Sequence, residues 1–285
     1  MDSNKVRKFF QMIDFEHTLF GLPFAYMGAV LAAGGIPVLS VLWWITVAMF
    51  GARTAALCMN RLIDRHIDRA NPRTSHWIMA REELPVLVVW LLVPVFLLIF
   101  FYAAYRLNSL CFKLAPLAVF ILCIYSYTKR FTWWCHLILG MAIGMGPVGG
   151  WLAVTGCWAW TPLFVGAAVA SWIAGFDILY ACQDIEFDRR MKLYSVPARF
   201  GMRTAIGITR CLHLGTIFSL LITGLSADSG WIFYVGLLLI ALILAYEHSL
   251  VAPGDLSKIY LASFQINHYV GLLIFSFTLL DIGLN

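Results

Sequence analysis

The chain has 285 residues, of which 61% are hydrophobic and 12% charged. A soluble domain carries about 25% charged residues, so composition excludes a soluble globular enzyme and predicts an integral membrane protein. The net charge of +5 would point to an anionic partner in a soluble protein. Here its distribution along the chain matters more than its sum.

Met1 to Glu16 is polar and mixed in charge, and no small-residue cleavage site follows the first apolar run, so no cleavable signal peptide is expected. This segment is expected to lie in the membrane interface as an amphipathic helix, with Phe9, Phe10, Met12 and Ile13 inward. Nine apolar runs follow, each near the ~20 residues a bilayer requires, at about 17–36, 38–58, 84–104, 109–128, 136–155, 161–181, 205–224, 230–247 and 267–284. Gly34-Gly35-Ile36-Pro37, Thr155-Gly156-Cys157 and Ser226-Ala227-Asp228-Ser229-Gly230 read as tight turns between them.

The basic residues sort by side. Lys5, Arg7 and Lys8 precede the first run. Arg61, Arg65, Arg69, Arg73 and Arg81 follow the second, and Lys129 and Arg130 follow the fourth. Arg189, Arg190, Lys192, Arg199 and Arg203 follow the sixth, and Lys258 the eighth. That places sixteen of the 20 basic residues on one side. By the positive-inside rule this side, with the N-terminus, is cytoplasmic, and the alternation supports a count of nine spans. Trp43-Trp44, Trp133-Trp134, Trp158 and Trp160 near helix ends fit interfacial belts. Cys58, Cys111, Cys123, Cys135, Cys157, Cys182 and Cys211 lie singly and read as core residues. His17, His66, His136, His213, His248 and His268 have no metal-ligand spacing and read as scattered polar or loop residues.

Two acidic clusters stand at the predicted cytoplasmic ends of the second and sixth spans. Asn60, Asp64 and Asp68 recur every fourth residue, and Arg53 lies two turns deeper on the same face. Asp177, Asp184 and Asp188 form the second stripe, with Tyr180 and Gln183 between. Each cluster is followed by a basic loop expected to carry a short helix. Carboxylates beside lipid are costly and mark function by default. Hard oxygen ligands suit Mg2+ shared with substrate phosphates, so two facing stripes would bind metal and a diphosphate. The plainer alternative is a solvated helix end in which Asp64 and Asp68 pair with Arg61, Arg65 and Arg69. A transporter with an acidic vestibule is a further alternative, although it would need its carboxylates at mid-membrane.

These residues resemble the UbiA superfamily of intramembrane prenyltransferases. The likeness covers essentially the whole chain and rests on Asn60-x3-Asp64-x3-Asp68, Asp184-x3-Asp188, Tyr125-Ser-Tyr127-Thr-Lys129-Arg130 and Ser195-Val-Pro-Ala-Arg199-Phe-Gly201. Phe15-Glu16-His17-Thr18 and Gly146-Pro147-Val148-Gly149-Gly150 look most like the bacterial branch that prenylates aromatic acids. That branch comprises the 4-hydroxybenzoate polyprenyltransferases and relatives that act on a dihydroxynaphthoate. Two positions depart from the pattern: Arg61 stands where many members have Asp, and Trp77-Ile78 where Pro-Leu is common.

The resemblance implies one all-α, nine-transmembrane-helix domain over 1–285 in the bacterial inner membrane, with active-site loops cytoplasmic. It implies that Asn60, Asp64, Asp68, Asp184 and Asp188 hold Mg2+ bridging a polyprenyl diphosphate, whose oxygens Lys129, Arg130 and Arg73 contact. Tyr125 and Tyr180 would line a pocket for the allylic cation, and Asp177 would serve as base. Arg53 fits the carboxylate of an aromatic acid acceptor, the alternative being an internal pair with Asp177. The activity expected is prenyl transfer in ubiquinone or menaquinone biosynthesis. Haem O, chlorophyll or ether-lipid synthesis, with acceptors lacking a carboxylate, stands as the sibling alternative. The lipid bilayer is the expected surrounding; no nucleic acid or protein partner is expected.

Overall fold

The computed structural model describes residues 3–13, 18–252, 258–259 and 261–284, so Phe15, Glu16 and His17 of the first motif lie outside the described residues. The regular elements are helices: α1 Ser3–Met12, α2 Thr18–Ala33, α3 Leu39–Ala70, α4 Val86–Leu107, α5 Ser109–Thr128, α6 Cys135–Thr155 and α7 Thr161–Ala181. After a 3-10 turn at Cys182–Asp184 come α8 Ile185–Met191, α9 Val196–Phe200, α10 Met202–Ser226, α11 Trp231–Leu250 and α12 His268–Leu284, the last preceded by a π-helical turn at Leu261–Gln265. Every predicted apolar run coincides with a helix. Among the described residues, seven helical segments are long and apolar enough to cross a membrane, and Gly21–Ala33 and Tyr269–Leu284 are shorter apolar helices. The protein is an all-α, multi-pass membrane bundle.

α3 outlasts its apolar run, which ends near residue 58, and continues through Asn60, Asp64 and Asp68 to Ala70, so the first stripe lies on one helix as its spacing requires. Residues 59–70 contain no Gly or Pro, and Leu, Met, Arg and Ala among them are good helix formers, so the helix outlasts its apolar part. It stops where Pro72 cannot continue it. The basic loop after it is built of turns, and the short helix expected there does not form. The loop after the second cluster does carry one, α9, whose first turn is capped by Ser195 accepting from the Ala198 N–H.

Helix ends are tied across the bundle. Asn108 Oδ1 accepts from the Cys111 N–H at the start of α5, while its Nδ2 donates to the Leu152 carbonyl at the end of α6. Asp281 of α12 accepts from the N–H groups of Gly230 and Phe233 at the start of α11. Gly34 and Gly156 make their turns with φ of 58° and 62°, the left-handed region that Gly enters at no steric cost.

The bundle centre relies on close backbone approach. A Cβ placed on Gly150 of α6 would lie 1.9 Å from the Ala25 carbonyl oxygen of α2, and one on Gly140 would lie 2.2 Å from that of Ala170 in α7. Small residues at such crossings let membrane helices pack where apolar burial supplies no drive. Around them the core gathers Phe24, Met27, Trp172, Phe233 and Ile274.

The N-terminal helix behaves differently from the predicted interfacial one. Phe9, Met12 and Ile13 are buried, but Phe10 is 43% exposed. The helix seats on protein: Phe9 stacks on Phe96 of α4 and Lys8 pairs with Glu83 at 3.1 Å. Trp43, Trp134, Trp158 and Trp160 are exposed, as a belt requires.

Gly150→Ala should lower the thermal midpoint in detergent by an amount matching about 1–3 kcal/mol of overpacking. Gly149→Ala, with nothing within 4 Å of its new methyl group, should leave that midpoint unchanged.

Candidate active site

The two acidic helix ends meet at the end of the bundle that carries most of the basic residues. On the first, Asp64 is 3% exposed and Asp68 is 7% exposed. Asp64 pairs with Lys129 Nζ at 2.8 Å and with Arg130 Nη2 at 2.8 Å, both from the end of α5. Asn60 Nδ2 donates to Asp64 Oδ2 at 3.0 Å. Arg130 also donates to the carbonyls of Ser126 and Ile63, so its planar fork is held in place before any ligand arrives. Thr74 donates to the Asp68 backbone carbonyl at 2.9 Å, with Asp68 Oδ1 at 3.5 Å.

The second cluster is reached from the first by the loop after α3. Arg73 forks onto both oxygens of Asp184 and also donates to the Tyr180 hydroxyl, its guanidinium carbon lying 4.5 Å from that ring's centre. Asn71 Nδ2 donates to Asp184 Oδ1 at 3.0 Å, while its own Oδ1 accepts the Arg73 N–H. Partial burial works against the charge of Arg73, yet its bonds to Asp184 hold its pKa above the ordinary value. Asp188 accepts from Ser195 Oγ at 2.8 Å. The Tyr194 N–H donates to the Lys129 carbonyl at 2.7 Å, which joins the α5–α6 turn to the segment after α8.

Asp177 lies two turns deeper than Asp184 of the second motif. Its Oδ2 is 2.7 Å from His136 Nδ1, and the Val196 N–H donates to His136 Nε2. With Nε2 accepting, the imidazole proton sits on Nδ1 and points at Asp177. His136 is therefore a buried partner of a site carboxylate rather than a scattered loop histidine. Nor do Asp64 and Asp68 pair with the arginines interleaved between them. Arg69 reaches Glu82 at 2.6 Å and holds that exposed carboxyl below its usual pKa, and Arg65 caps the Leu62 carbonyl. Arg61 is buried with its guanidinium carbon 3.6 Å over the Trp77 ring.

Below this polar layer opens a cavity of about 520 Å³, walled by α2 to α7, with Asn267 reaching it from the C-terminal side. Arg53 and Tyr125 stand in its lining, two turns below Asn60 and one turn below Lys129. Phe176 and Trp172 form part of the opposite wall. The lining is otherwise overwhelmingly apolar.

The donor set fits a hard divalent cation in one particular way. Among the described residues no three His, Cys, Asp or Glu side chains gather as a ready-made metal cage; the carboxylates are instead held apart by cations. Buried Asp64 Oδ1 touches Arg130 without forming an aligned hydrogen bond, leaving a lone pair for a ligand. Mg2+ typically takes one or two carboxylates and completes its shell from phosphates and water, and this arrangement suits that mode. Spacing alone does not reveal Asn71, Thr74, Ser195 or His136. Their only mark in sequence is proximity to the motifs, and each acts through a contact that the fold creates.

A bundle of membrane helices, with paired carboxylates and guanidinium groups at one end and a deep apolar cavity beneath, defines an intramembrane enzyme for an amphiphile with an anionic head. The chain belongs to the UbiA prenyltransferase family, whose model matches residues 21–269. A 4-hydroxybenzoate octaprenyltransferase of Xanthomonas campestris is 32% identical over 86% of this chain and 81% of its own. One of Vesicomyosocius okutanii is 28% identical over 89% and 92%. The structure of a UbiA homolog from Aeropyrum pernix superposes with a TM-score of 0.85 at 31% identity, over 93% of this chain and 98% of that one. A UbiA homolog from Archaeoglobus fulgidus bound to DMAPP and Mg2+ shares the fold, with a TM-score of 0.73 at 21% identity over 98% and 100% of the two chains.

Trp77→Leu should free the loop that carries Asn71 and Arg73, since a desolvated cation–aromatic contact contributes up to about 2 kcal/mol. Trypsin cleavage at Arg81 should then be faster than in the native protein, while Trp77→Phe, which keeps a ring face, should stay near native.

Proposed function

We propose that the protein transfers a polyprenyl group from polyprenyl diphosphate to the ring of an aromatic acid, 4-hydroxybenzoate or a dihydroxynaphthoate, in quinone biosynthesis. The observation that carries this reading is the stacking of three layers. Carboxylates paired with Lys129, Arg130 and Arg73 lie outermost, Arg53 and Tyr125 lie beneath them, and an apolar cavity lies beneath those. The relatives named above support the aromatic acceptor. The basic end of the bundle is the cytoplasmic one, in a bacterial inner membrane, and one prenyltransferase domain spans 1–285.

In this reading Asn60, Asp64, Asp68, Asp184 and Asp188 would hold Mg2+. When bound, the ion neutralises the diphosphate and stabilises the charge that develops on the leaving group. Lys129, Arg130 and Arg73 exchange their carboxylate partners for phosphate oxygens and fix the head group. The allylic C–O bond breaks inside a cavity that excludes water, with the faces of Tyr125 and Tyr180 beside the cation. Arg53 holds the acceptor carboxylate so that the ring carbon ortho to the phenolic oxygen attacks the allylic carbon. Asp177, its Oδ2 held by His136, then takes the displaced proton and restores aromaticity.

Membranes carrying the protein, supplied with Mg2+, mixed polyprenyl diphosphates and both acceptors in competition, should yield a product whose mass names both substrates. Chelation should abolish turnover. Asp64→Ala and Asp184→Ala should each lower kcat by about a hundredfold or more, and full activity in either would overturn the assignment. Arg53→Ala should raise acceptor KM far more than donor KM; the reverse pattern would reject its role.

A further inference from the structure

A buried polar chain leads from the cavity wall into the C-terminal half of the bundle, away from the acidic clusters. Trp172 of α7, 4% exposed, donates its indole N–H to Asn267 Oδ1. Asn267 Nδ2 donates to Glu247 Oε2 of α11 at 2.9 Å and to the Ala262 carbonyl at 3.0 Å. Glu247 is 0% exposed. Its other oxygen, Oε1, has no hydrogen-bond partner and lies 4.0 Å from His213 Nδ1, which in turn lies 3.1 Å from His248 Nε2. A carboxyl group buried in a membrane bundle with one oxygen unsatisfied is costly. An apolar residue would pack there at less cost. What Glu247 secures instead is the orientation of Asn267 and, through it, the plane of the Trp172 ring. Phe24 fixes the ring's other side, at 5.3 Å between centroids.

Trp172 has a position that makes its orientation matter. Trp172, Phe176 and Tyr180 recur every fourth residue and share one face of α7. Tyr180 sits under Arg73 in the polar layer, its ring 6.4 Å from that of Phe176, and Phe176 and Trp172 both line the cavity. From Tyr180 to Trp172 is eight residues, roughly 12 Å along the helix at 1.5 Å per residue. A chain anchored by its diphosphate beside Arg73 and descending into the cavity passes these rings in order. One isoprene unit ends short of Trp172, whereas several units run past it.

We propose that Glu247 is a positioning residue for donor length. By locking Asn267 and the Trp172 indole, it shapes the deep section of the cavity that only the longer prenyl chains reach. The proposal rests on the prenyl-transfer reading above. The test uses the full chain in lipid nanodiscs with Mg2+ and acceptor, with dimethylallyl and geranylgeranyl diphosphate as separate donors. Glu247→Leu and Glu247→Met, neither of which can accept from Asn267 Nδ2, should each raise the KM for geranylgeranyl diphosphate about tenfold, which corresponds to about 1.4 kcal/mol. The KM and kcat for dimethylallyl diphosphate should stay within about twofold of native, less than 0.5 kcal/mol on the same scale. Glu247→Gln, which keeps an acceptor oxygen for Asn267, should restore native discrimination between the donors. Equal losses on both donors would mark Glu247 as merely structural and overturn the proposal, as would unchanged KM values. Should Glu247→Leu fail to fold, the donor ratio of Glu247→Met decides alone. A native protein inactive with every donor would remove the prenyl-transfer reading itself, and this proposal with it; an active native protein with unaltered ratios in the variants rejects only the proposal.

Discussion

The architecture depends on one electrostatic constraint: carboxylates carried on two helices far apart in sequence must be neutralised where the bundle meets its polar end. The closest cation partners of Asp64 and Asp184 come from outside their own helices. Asp64 of α3 is answered by Lys129 and Arg130 at the end of α5. Asp184 is answered by Arg73 from the loop after α3. All three cations come from the stretch of chain between the two acidic clusters, residues 73–130, so that stretch clasps both carboxylates. The same contacts that make the charges tolerable also draw the polar layer together over the cavity.

Such pairs are weak stabilisers, because desolvation offsets most of their Coulomb energy. Cohesion comes from elsewhere. Gly150 against Ala25 and Gly140 against Ala170 bring α2, α6 and α7 into backbone contact, and Asn108 and Asp281 satisfy helix ends that lipid cannot. This separates two tasks within one fold. Close-packed glycines fix the frame, and the exchange of carboxylates for phosphate oxygens proposed for the polar layer would require no unpacking of that frame. A cavity can persist beneath it because α3 to α5 present mainly small or flexible side chains there, among them Ala48, Ala52, Ala56 and Met49.

Much of this was legible in the residues alone, and for physical reasons. Lipid demands long apolar runs with internally satisfied backbones, so all nine runs matched helices. A carboxylate stripe stands out against such a background, so Asp64, Asp68, Asp184 and Asp188 were conspicuous. What could not be read was anything decided between elements. The loop after α3 forms turns rather than the expected short helix, because its side chains are tied to both acidic clusters. His136 looked incidental because its partner, Asp177, lies 41 positions away and meets it only through the packing of α6 on α7. Phe10 was placed inward by periodicity alone, and the seat that α1 finds on Phe96 and Glu83 turned it outward.

The two departures from the family pattern turn out to be one feature. Arg61 replaces an acidic residue next to Asn60, and Trp77 stands in the loop sixteen positions later; the structure stacks them, guanidinium on indole, at 3.6 Å. The indole face is one of the groups that receive the positive charge of this buried guanidinium. The stacked pair also connects α3 directly to the loop that delivers Thr74 to Asp68 and Arg73 to Asp184. The loop is thus fixed along its length, to both acidic clusters, to Arg61 and, through Glu82, to Arg69. Its placement over the polar layer therefore follows from side-chain chemistry rather than from any regular secondary structure of its own.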